Sequence, residues 1–538
     1  MSTSRKSSTS KPSSHGLTVE QFCNYVAPAT WDKTELLEWP PDVFALVASL
    51  LLKSGAYCYA VSGWKRKPSL NAWTKRMTRY GQQWHANSKE PPSRVRQLHR
   101  RLTTKRNRQV TVSSLRDHPK LCEALLELCA VADEACSGAG FGMSKKGDLF
   151  MDRASKRLFL SGEALGASTL CERVDHSAVR VLPKLHTPQS GITLRSLSHH
   201  VALCPAGDVK AKWAEYPCAR RHYFNLLLAP WPLTSNPAHF QAVEPTKAEL
   251  LDLPPDFGFF EYNPPADAEV LRRLKALLKH AQKIVAKVHG VIFPELALTK
   301  DQYARISTTL MKQDIFLICG VREPPSPKSK AARNYLQFDI PSAIGPTWHQ
   351  QSKHHRWRLD RRQIVQYGLG SCLNVTGNWW EHISVGGRNL YFVALDDWFT
   401  VCALICEDLA RQDPVGEIVR AVGPNLVIAL LMDGPQLTSR WPARYATVLA
   451  DDPGCSVLTL TSVGMSELSR PPSIQDRSRA VALWKDAKTG EAFSIELPEK
   501  KEGVILSLSR DRENEWTADG REDGGTTGYP TLSGIHFV

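Results

Sequence analysis

From Asn225 onward the chain alternates short runs of apolar residues with stretches in which apolar residues recur every three or four positions. No other feature narrows the fold as much. The runs "NLLLAPWPL" (225–233), "IFLICG" (315–320), "FTVCALIC" (399–406) and "NLVIALLMD" (425–433) are too short to span a membrane and too continuous for half-exposed strands, so they read as buried strands. Between them, residues 268–288 place Leu271, Leu274, Leu278, Ala281, Val285 and Val288 on one face, which predicts a helix stopped by Gly290. "DQYARISTTLMKQ" and "VGEIVRAV" predict further helices. "NLYFVAL" and "FTVCALIC" about the turn "DDW" predict a strand pair, and "RAVALWKDAKTGEAFSIEL" a hairpin. Such alternation implies a layered α/β domain, placed at residues 216–538.

Residues 17–215 read instead as a mainly helical region. Its longest uncharged apolar run, "VFALVASLLL" (43–52), ends at Lys53; a bilayer core needs about 20 residues, so this is a buried helix and no membrane contact is expected. Cys122, Cys129 and Cys136 recur every seven residues on what would be one apolar helical face, and the glycine cluster at 138–147 reads as a flexible turn. Residues 1–16, rich in serine and basic, read as a disordered tail. The thirteen cysteines form no C-x-x-C pair and no zinc spacing. No metal is expected, and a reducing, cytoplasmic compartment is the simpler expectation.

Charge is concentrated. Residues 64–109 hold fourteen Lys or Arg against a single acid, Glu90, and so carry almost all of the net charge of +14. Interleaved aromatics suggest a surface for nucleic acid or another polyanion, with Arg100, Arg101, Lys105 and Arg106 as phosphate contacts and Trp73 and Trp84 as stacking platforms. The alternative is a solvated helical face whose aromatics pack on the domain behind it.

Three reactive side chains fall where strands or loops end: Glu295 in "HGVIFPELALT", Lys353 in "HQQSKHHRWRLD" and Cys406 in "FTVCALICEDLAR". Layered α/β domains gather functional groups at such ends. Their chemistry is complementary, because a thiol with an ordinary pKa near 8.5 needs a base or a nearby positive charge to become a nucleophile. Glu295 can take the proton and Lys353 supply the charge. When the thiolate adds to an amide or nitrile carbon, the Lys353 ammonium and the backbone N–H of Glu407 are suitable donors to the developing anion. Cys402 reads as packing, and His354 and His355 as surface loop residues.

"VIFPEL", "SKHH" and "LICEDLAR", in this order, resemble the Glu, Lys and Cys motifs of the nitrilase, or carbon–nitrogen hydrolase, superfamily. "LLLAPWPL" resembles that family's first strand, and the segments from Asn425 to Ser462 resemble the strand, helix and strand after its cysteine. The resemblance covers roughly residue 218 to the C-terminus. It implies a four-layer α-β-β-α sandwich behind an N-terminal, mostly helical extra domain, paired as a homodimer through the helices after the cysteine. It also implies a small amide or nitrile substrate, a thioester on Cys406, Glu295 as general base, Lys353 holding the tetrahedral intermediate, and no cofactor. Many members carry a further glutamate just after the lysine; here Asp360 is the acid available for that role. Two other outcomes remain open: a nucleic-acid-associated protein using this fold as a scaffold, and a thioester enzyme that passes its acyl group to an amine.

Overall fold

The computed structural model describes residues 16–62, 70–141, 148–216, 221–244, 254–326, 330–341, 345–470 and 477–538. The expected disordered tail lies outside the described residues except for Gly16. So do Trp64 and the first three cations of the basic segment, the last six residues of the glycine cluster, and Cys218.

Two sheets form the centre of the molecule. In spatial order the first runs Thr347–Ser352, Arg333–Ile340, Phe316–Glu323, Gly290–Ile292, Tyr223–Leu228, Val504–Glu513 and Thr527–Phe537, with the short strand Leu298–Thr299 paired beside Phe316–Glu323. The second runs Ala492–Glu496, Ala480–Lys485, Ser456–Leu460, Leu426–Leu430, Phe399–Ile405, Asn389–Asp396 and Lys210–Glu215. Three central strands of each sheet are parallel.

The continuous apolar runs have a simple cause. Successive strand residues point to opposite faces, and here both faces are covered. Phe224, Leu226, Ile292, Phe316 and Ile318 enter the core shared with the second sheet, whereas Leu227, Val291, Leu317, Cys319 and Val321 enter a separate core. Helices Val270–Ala281 and Lys300–Met311 close that outer core with Leu274, Leu278, Ile306 and Leu310. Between the sheets Phe224 stacks on Phe399, ring centroids 4.2 Å apart. Helices Glu417–Val422 and Trp441–Asp451 bury Val419, Val422, Ala446 and Leu449 on the far side of the second sheet. The result is a four-layer α-β-β-α sandwich.

Two sequence expectations are corrected. The helix expected over 268–288 ends at Ala281, and the chain leaves it through tighter turns, Lys283 N–H to His280 O and Ile284 N–H to Ala281 O, before entering the strand at Gly290. Nor does the N-terminal region stop short of the sandwich. Strand Lys210–Glu215 pairs in parallel with Asn389–Asp396 and is an edge strand of the second sheet. The nominal boundary at 216 therefore falls immediately after a strand of that sheet.

The remainder of the N-terminal region is helical up to Leu165, as expected, and then includes the antiparallel ribbon Val179–Pro183 with Val201–Pro205. Helix Pro40–Ser54, which contains the apolar run, and helix Pro119–Ala135 are buried on nearly every side. Helix Leu70–Ala86 crosses the latter at Gly81, where an added Cβ would lie 2.3 Å from Glu134 Cβ; only glycine permits that approach. Cys122 and Cys129 are buried, and no disulfide joins any two of the twelve described cysteines. The ribbon packs on helix Glu417–Val422, where Arg195 forms a two-pronged contact with Asp452 at 2.5 and 2.6 Å. One of the helices through which the resemblance implies pairing is thus partly covered by the chain's own ribbon. Among the described residues no helix is long and apolar enough to cross a membrane.

Candidate active site

Glu295 lies just beyond strand Gly290–Ile292. Its loop is fixed by Phe293 N–H to Ile318 O (2.9 Å), Gly320 N–H to Pro294 O (3.2 Å) and Arg322 to Leu296 O (2.8 Å). Gly320 has a specific task here, because a Cβ on it would meet Glu295 Cα and Pro294 O at 2.5 Å. The chain then enters helix Lys300–Met311 through a capping box between Thr299 and Gln302, which holds the loop from its other end.

Cys406 ends strand Phe399–Ile405 and caps the short helix Glu407–Ala410. Its backbone sits at φ 46°, a region costly for a residue with a side chain. Its N–H donates to Leu430 O at 2.9 Å. The strand ends on a cysteine because the chain makes a sharp elbow there, lifting one side chain out of the regular alternation. Glu407 is the first residue of that helix, so its N–H is one of the donors a helix leaves without an internal acceptor. Cys402 remains inside the strand, fully buried opposite Phe392 and Val427.

Lys353 follows strand Thr347–Ser352. It is 1% exposed, and its ammonium lies between two buried carboxylates, 2.8 Å from Glu295 Oε1 and 2.6 Å from Glu381 Oε2. Asn334 Nδ2 donates to both acids, at 2.7 Å to Glu295 Oε1 and 2.9 Å to Glu381 Oε1. The Trp357 N–H adds a bond to Glu381 Oε2 at 3.1 Å. Of this network, Glu295 Oε2 and Asn334 Oδ1 are left without a partner among the described residues.

Electrostatics follow from this burial. Loss of water raises the Glu295 carboxyl above its ordinary value and the neighbouring Glu381 charge raises it further, while Lys353 opposes both. Burial works against the charge on Lys353, yet Glu295 and Glu381 more than reverse it and hold the ammonium well above 10.5. Burial and Glu295 raise the Cys406 thiol, and Lys353 works to lower it. The resting site therefore has a firmly charged lysine, a protonated thiol and a carboxylate with raised proton affinity.

The structure thus brings Glu295, Lys353 and Cys406 within electrostatic reach of one another, and corrects the reading of Asp360. Asp360 caps helix Arg361–Gln366, accepting the Gln363 N–H at 2.9 Å, and that task occupies it. The second acid is Glu381, at the end of strand Asn378–Glu381. Its signal in the sequence, a glutamate closing "NWWE", is the same kind that marks Glu295, but it lies 28 residues beyond Lys353 and in a different strand. Asn334, in mid-strand, leaves no signal. His354 is not a surface residue either: it is buried, its backbone N–H bonded to Asp408 at 3.1 Å, whereas His355 is half-buried with Nδ1 2.8 Å from Asp408 Oδ1. Asp408 thereby joins the lysine loop to the cysteine elbow. Among the described residues no cluster of His, Cys, Asp or Glu is arranged to hold a metal ion.

The basic segment divides. Arg100, Arg101, Lys105 and Arg106 are exposed and make no ion pair among the described residues. Arg94 pairs with Glu127 and Arg108 with Glu20 and Asp32, acids supplied by other parts of the chain. Trp73 and Trp84, read as stacking platforms, are buried; Trp84 is fully enclosed and its indole N–H donates to Leu37 O at 3.1 Å. Their ring faces belong to the helical core, which removes them as base-stacking residues.

No protein-family model matches the chain, and no curated protein matches it. Among solved structures it is similar to Saccharomyces cerevisiae Nit3, described as a member of branch 10 of the nitrilase superfamily, at 13% identity and a TM-score of 0.33, covering 55% of this chain and 93% of that one. It is also similar to an amidase from Nesterenkonia sp. (11%, TM-score 0.31, 54% and 91%) and a carbon–nitrogen hydrolase from Helicobacter pylori (11%, TM-score 0.30, 58% and 88%). At such identities and TM-scores the likeness carries no argument, and the functional reading rests on the chain's own geometry.

Proposed function

We propose that this protein hydrolyses a non-peptide carbon–nitrogen bond, that of a small amide or nitrile, through a thioester on Cys406. The observation that carries the reading is the buried Lys353 ammonium held between Glu295 and Glu381 beside a cysteine on a strained elbow. Three ionisable groups without water are costly to bury, and catalysis gives that cost a use.

With an amide, Glu295 Oε2 takes the thiol proton as the Cys406 sulfur bonds to the carbonyl carbon. Negative charge moves to the oxygen, where the Lys353 ammonium and the Glu407 N–H stabilise it. Collapse breaks the C–N bond, and the proton on Glu295 passes to the leaving amine. Water then attacks the thioester while Glu295 takes its proton; the C–S bond breaks, that proton passes from Glu295 to the leaving sulfur, the carboxylic acid departs and the thiol is restored. Glu381 and Asn334 keep Lys353 and Glu295 in register and do not themselves meet the substrate.

The test is incubation of the full chain with a panel of small amides and nitriles, with released ammonia as the readout. Ammonia release that is lost in Cys406→Ala supports the proposal. No release from any member, or release that survives the substitution, refutes it.

A further inference from the structure

A cavity of about 850 Å³ opens at the end of the first sheet opposite Glu295. Its walls include His289 and Phe316, where strands Gly290–Ile292 and Phe316–Glu323 begin, and Thr347, where the strand leading to Lys353 begins. Glu295 and Lys353 lie at the other ends of these strands; His349, on the cavity wall, is four residues and so about 13 Å from Lys353. The N-terminal region completes the enclosure with helix Leu149–Leu165 and strand Lys210–Glu215. The sandwich alone would leave this end open.

The walls are strongly aromatic. Trp213, stacked over Phe392, lines the cavity together with Phe316 and Tyr391, and Phe159 and Trp348 stand exposed around it. Tyr216 and His349 share a 2.6 Å hydrogen bond, and the His349 ring also packs, tilted, against Tyr391 with centroids 4.8 Å apart. Burial, reinforced by Lys212, keeps His349 neutral, with a pKa of about 4. Burial, with Arg221 and Lys287, does the same for His289.

Five charged residues face the space: Glu163, Glu215, Asp314, Lys212 and Arg221. Asp314 pairs with Lys287 at 2.6 Å. Lys212 lies over the Tyr391 ring and Arg221 over Phe224, so each cation already has an aromatic face. Glu163 and Glu215 have no ion pair among the described residues. Ser155 donates to Glu215 Oε2 at 2.9 Å, but Glu215 Oε1 has no hydrogen-bond partner among the described residues. A carboxylate short of donors, beside ring faces whose π-systems attract cations, favours one kind of guest.

We propose that this cavity is a second ligand site, built jointly by the N-terminal region and the sandwich, for a flat aromatic ligand with a cationic, N–H-rich head, such as an aryl amidine or a protonated heteroaryl amine. The ring lies among Trp213, Tyr391 and Phe159, and the head donates to Glu215. The size suits a small molecule. The inference is independent of the chemistry at Cys406.

Two probes of the same shape and opposite charge test it: benzamidine, which is cationic near neutral pH, and benzoate, each titrated calorimetrically into the full-length chain. Benzamidine is expected to bind saturably and benzoate not. Glu215→Gln should weaken benzamidine by about ten-fold or more, as loss of a charge-assisted bond requires, and Phe159→Ala, an exposed position with little effect on folding, should weaken it as well. Cys406→Ala should leave binding unchanged. The proposal is overturned by absence of benzamidine binding, by benzoate binding as tightly, by undiminished affinity in Glu215→Gln, or by loss of binding in Cys406→Ala, which would place the probe at the other site.

Discussion

Lys353 has to stay charged where water barely reaches it, and the two acids that achieve this also govern how the site responds to pH. The Glu381 charge raises both Glu295 and Lys353. In the proposed mechanism Glu295 must be ionised to accept a proton, so the acid limb of the activity profile should lie above the ordinary glutamate value of 4.5. Removing the charge in Glu381→Gln lowers the pKa of both groups, and both limbs should therefore move to lower pH, as kcat/KM measured against pH would show. A profile that keeps its limbs would mean that Glu381 does not set them. Asp360→Ala should behave differently, costing about 1 kcal/mol as a lost helix cap with no shift of either limb. Lys353→Met should slow acylation by roughly 100- to 1,000-fold, the usual worth of one oxyanion donor, read from single-turnover kinetics.

At the scale of elements, the exposed and buried parts of the basic segment make opposite predictions. Changing Arg100, Arg101, Lys105 and Arg106 to Gln removes four exposed charges and should alter folding by no more than about 0.5 kcal/mol for each substitution. If this face holds a polyanion, the log–log salt slope of oligonucleotide binding should flatten by about 0.7 to 0.9 for each lost contact; an unchanged slope would show a solvated face only. Trp84→Ala should instead destabilise the chain by about 3–5 kcal/mol in denaturant, as expected for a large, fully buried ring. The sequence could show that aromatics alternate with cations, but not which side of helix Leu70–Ala86 faces helix Pro119–Ala135, because that depends on contacts more than thirty residues away. The same limit explains the acids near Lys353. Glu295 and Cys406 were legible because each closes a local strand pattern, whereas Glu381 and Asn334 reach the lysine only through strand pairing, and Asp360 was plausible only because it was near in sequence.

For the whole molecule, the N-terminal region and the sandwich share one core, which alters what truncation should do. The layered fold could be read from alternating patterns, but no pattern marks Lys210–Glu215 as a strand of the distant second sheet. Starting the chain near 218 would strip that strand from Asn389–Asp396 and leave an unpaired edge, so the shortened protein should aggregate where the full chain does not; a soluble, monodisperse fragment would contradict this. The C-terminal segment is tied to the N-terminal helices by Arg521, fully buried, 2.9 Å from Asp133 and 2.8 Å from Glu134. Burial would raise Asp133, but Arg521 outweighs it and, with His200 and His199, holds the carboxyl at about 2. A depressed carboxylate contributes stability above its unfolded value near 3.8, and loses that contribution as the pH falls towards 2. Arg521→Met should thus cost about 3–5 kcal/mol near neutrality and reduce the acid sensitivity of unfolding between pH 4 and 2. The covalent role of Cys406 is the centre of the account, and intact-protein mass spectrometry after brief incubation with a small-molecule extract and acid quench tests it most directly. The account predicts an acyl adduct that fragments to Cys406, decays on standing in water and is absent in Cys406→Ala but present in Cys402→Ala; an adduct on another residue, or one that persists in Cys406→Ala, would contradict it.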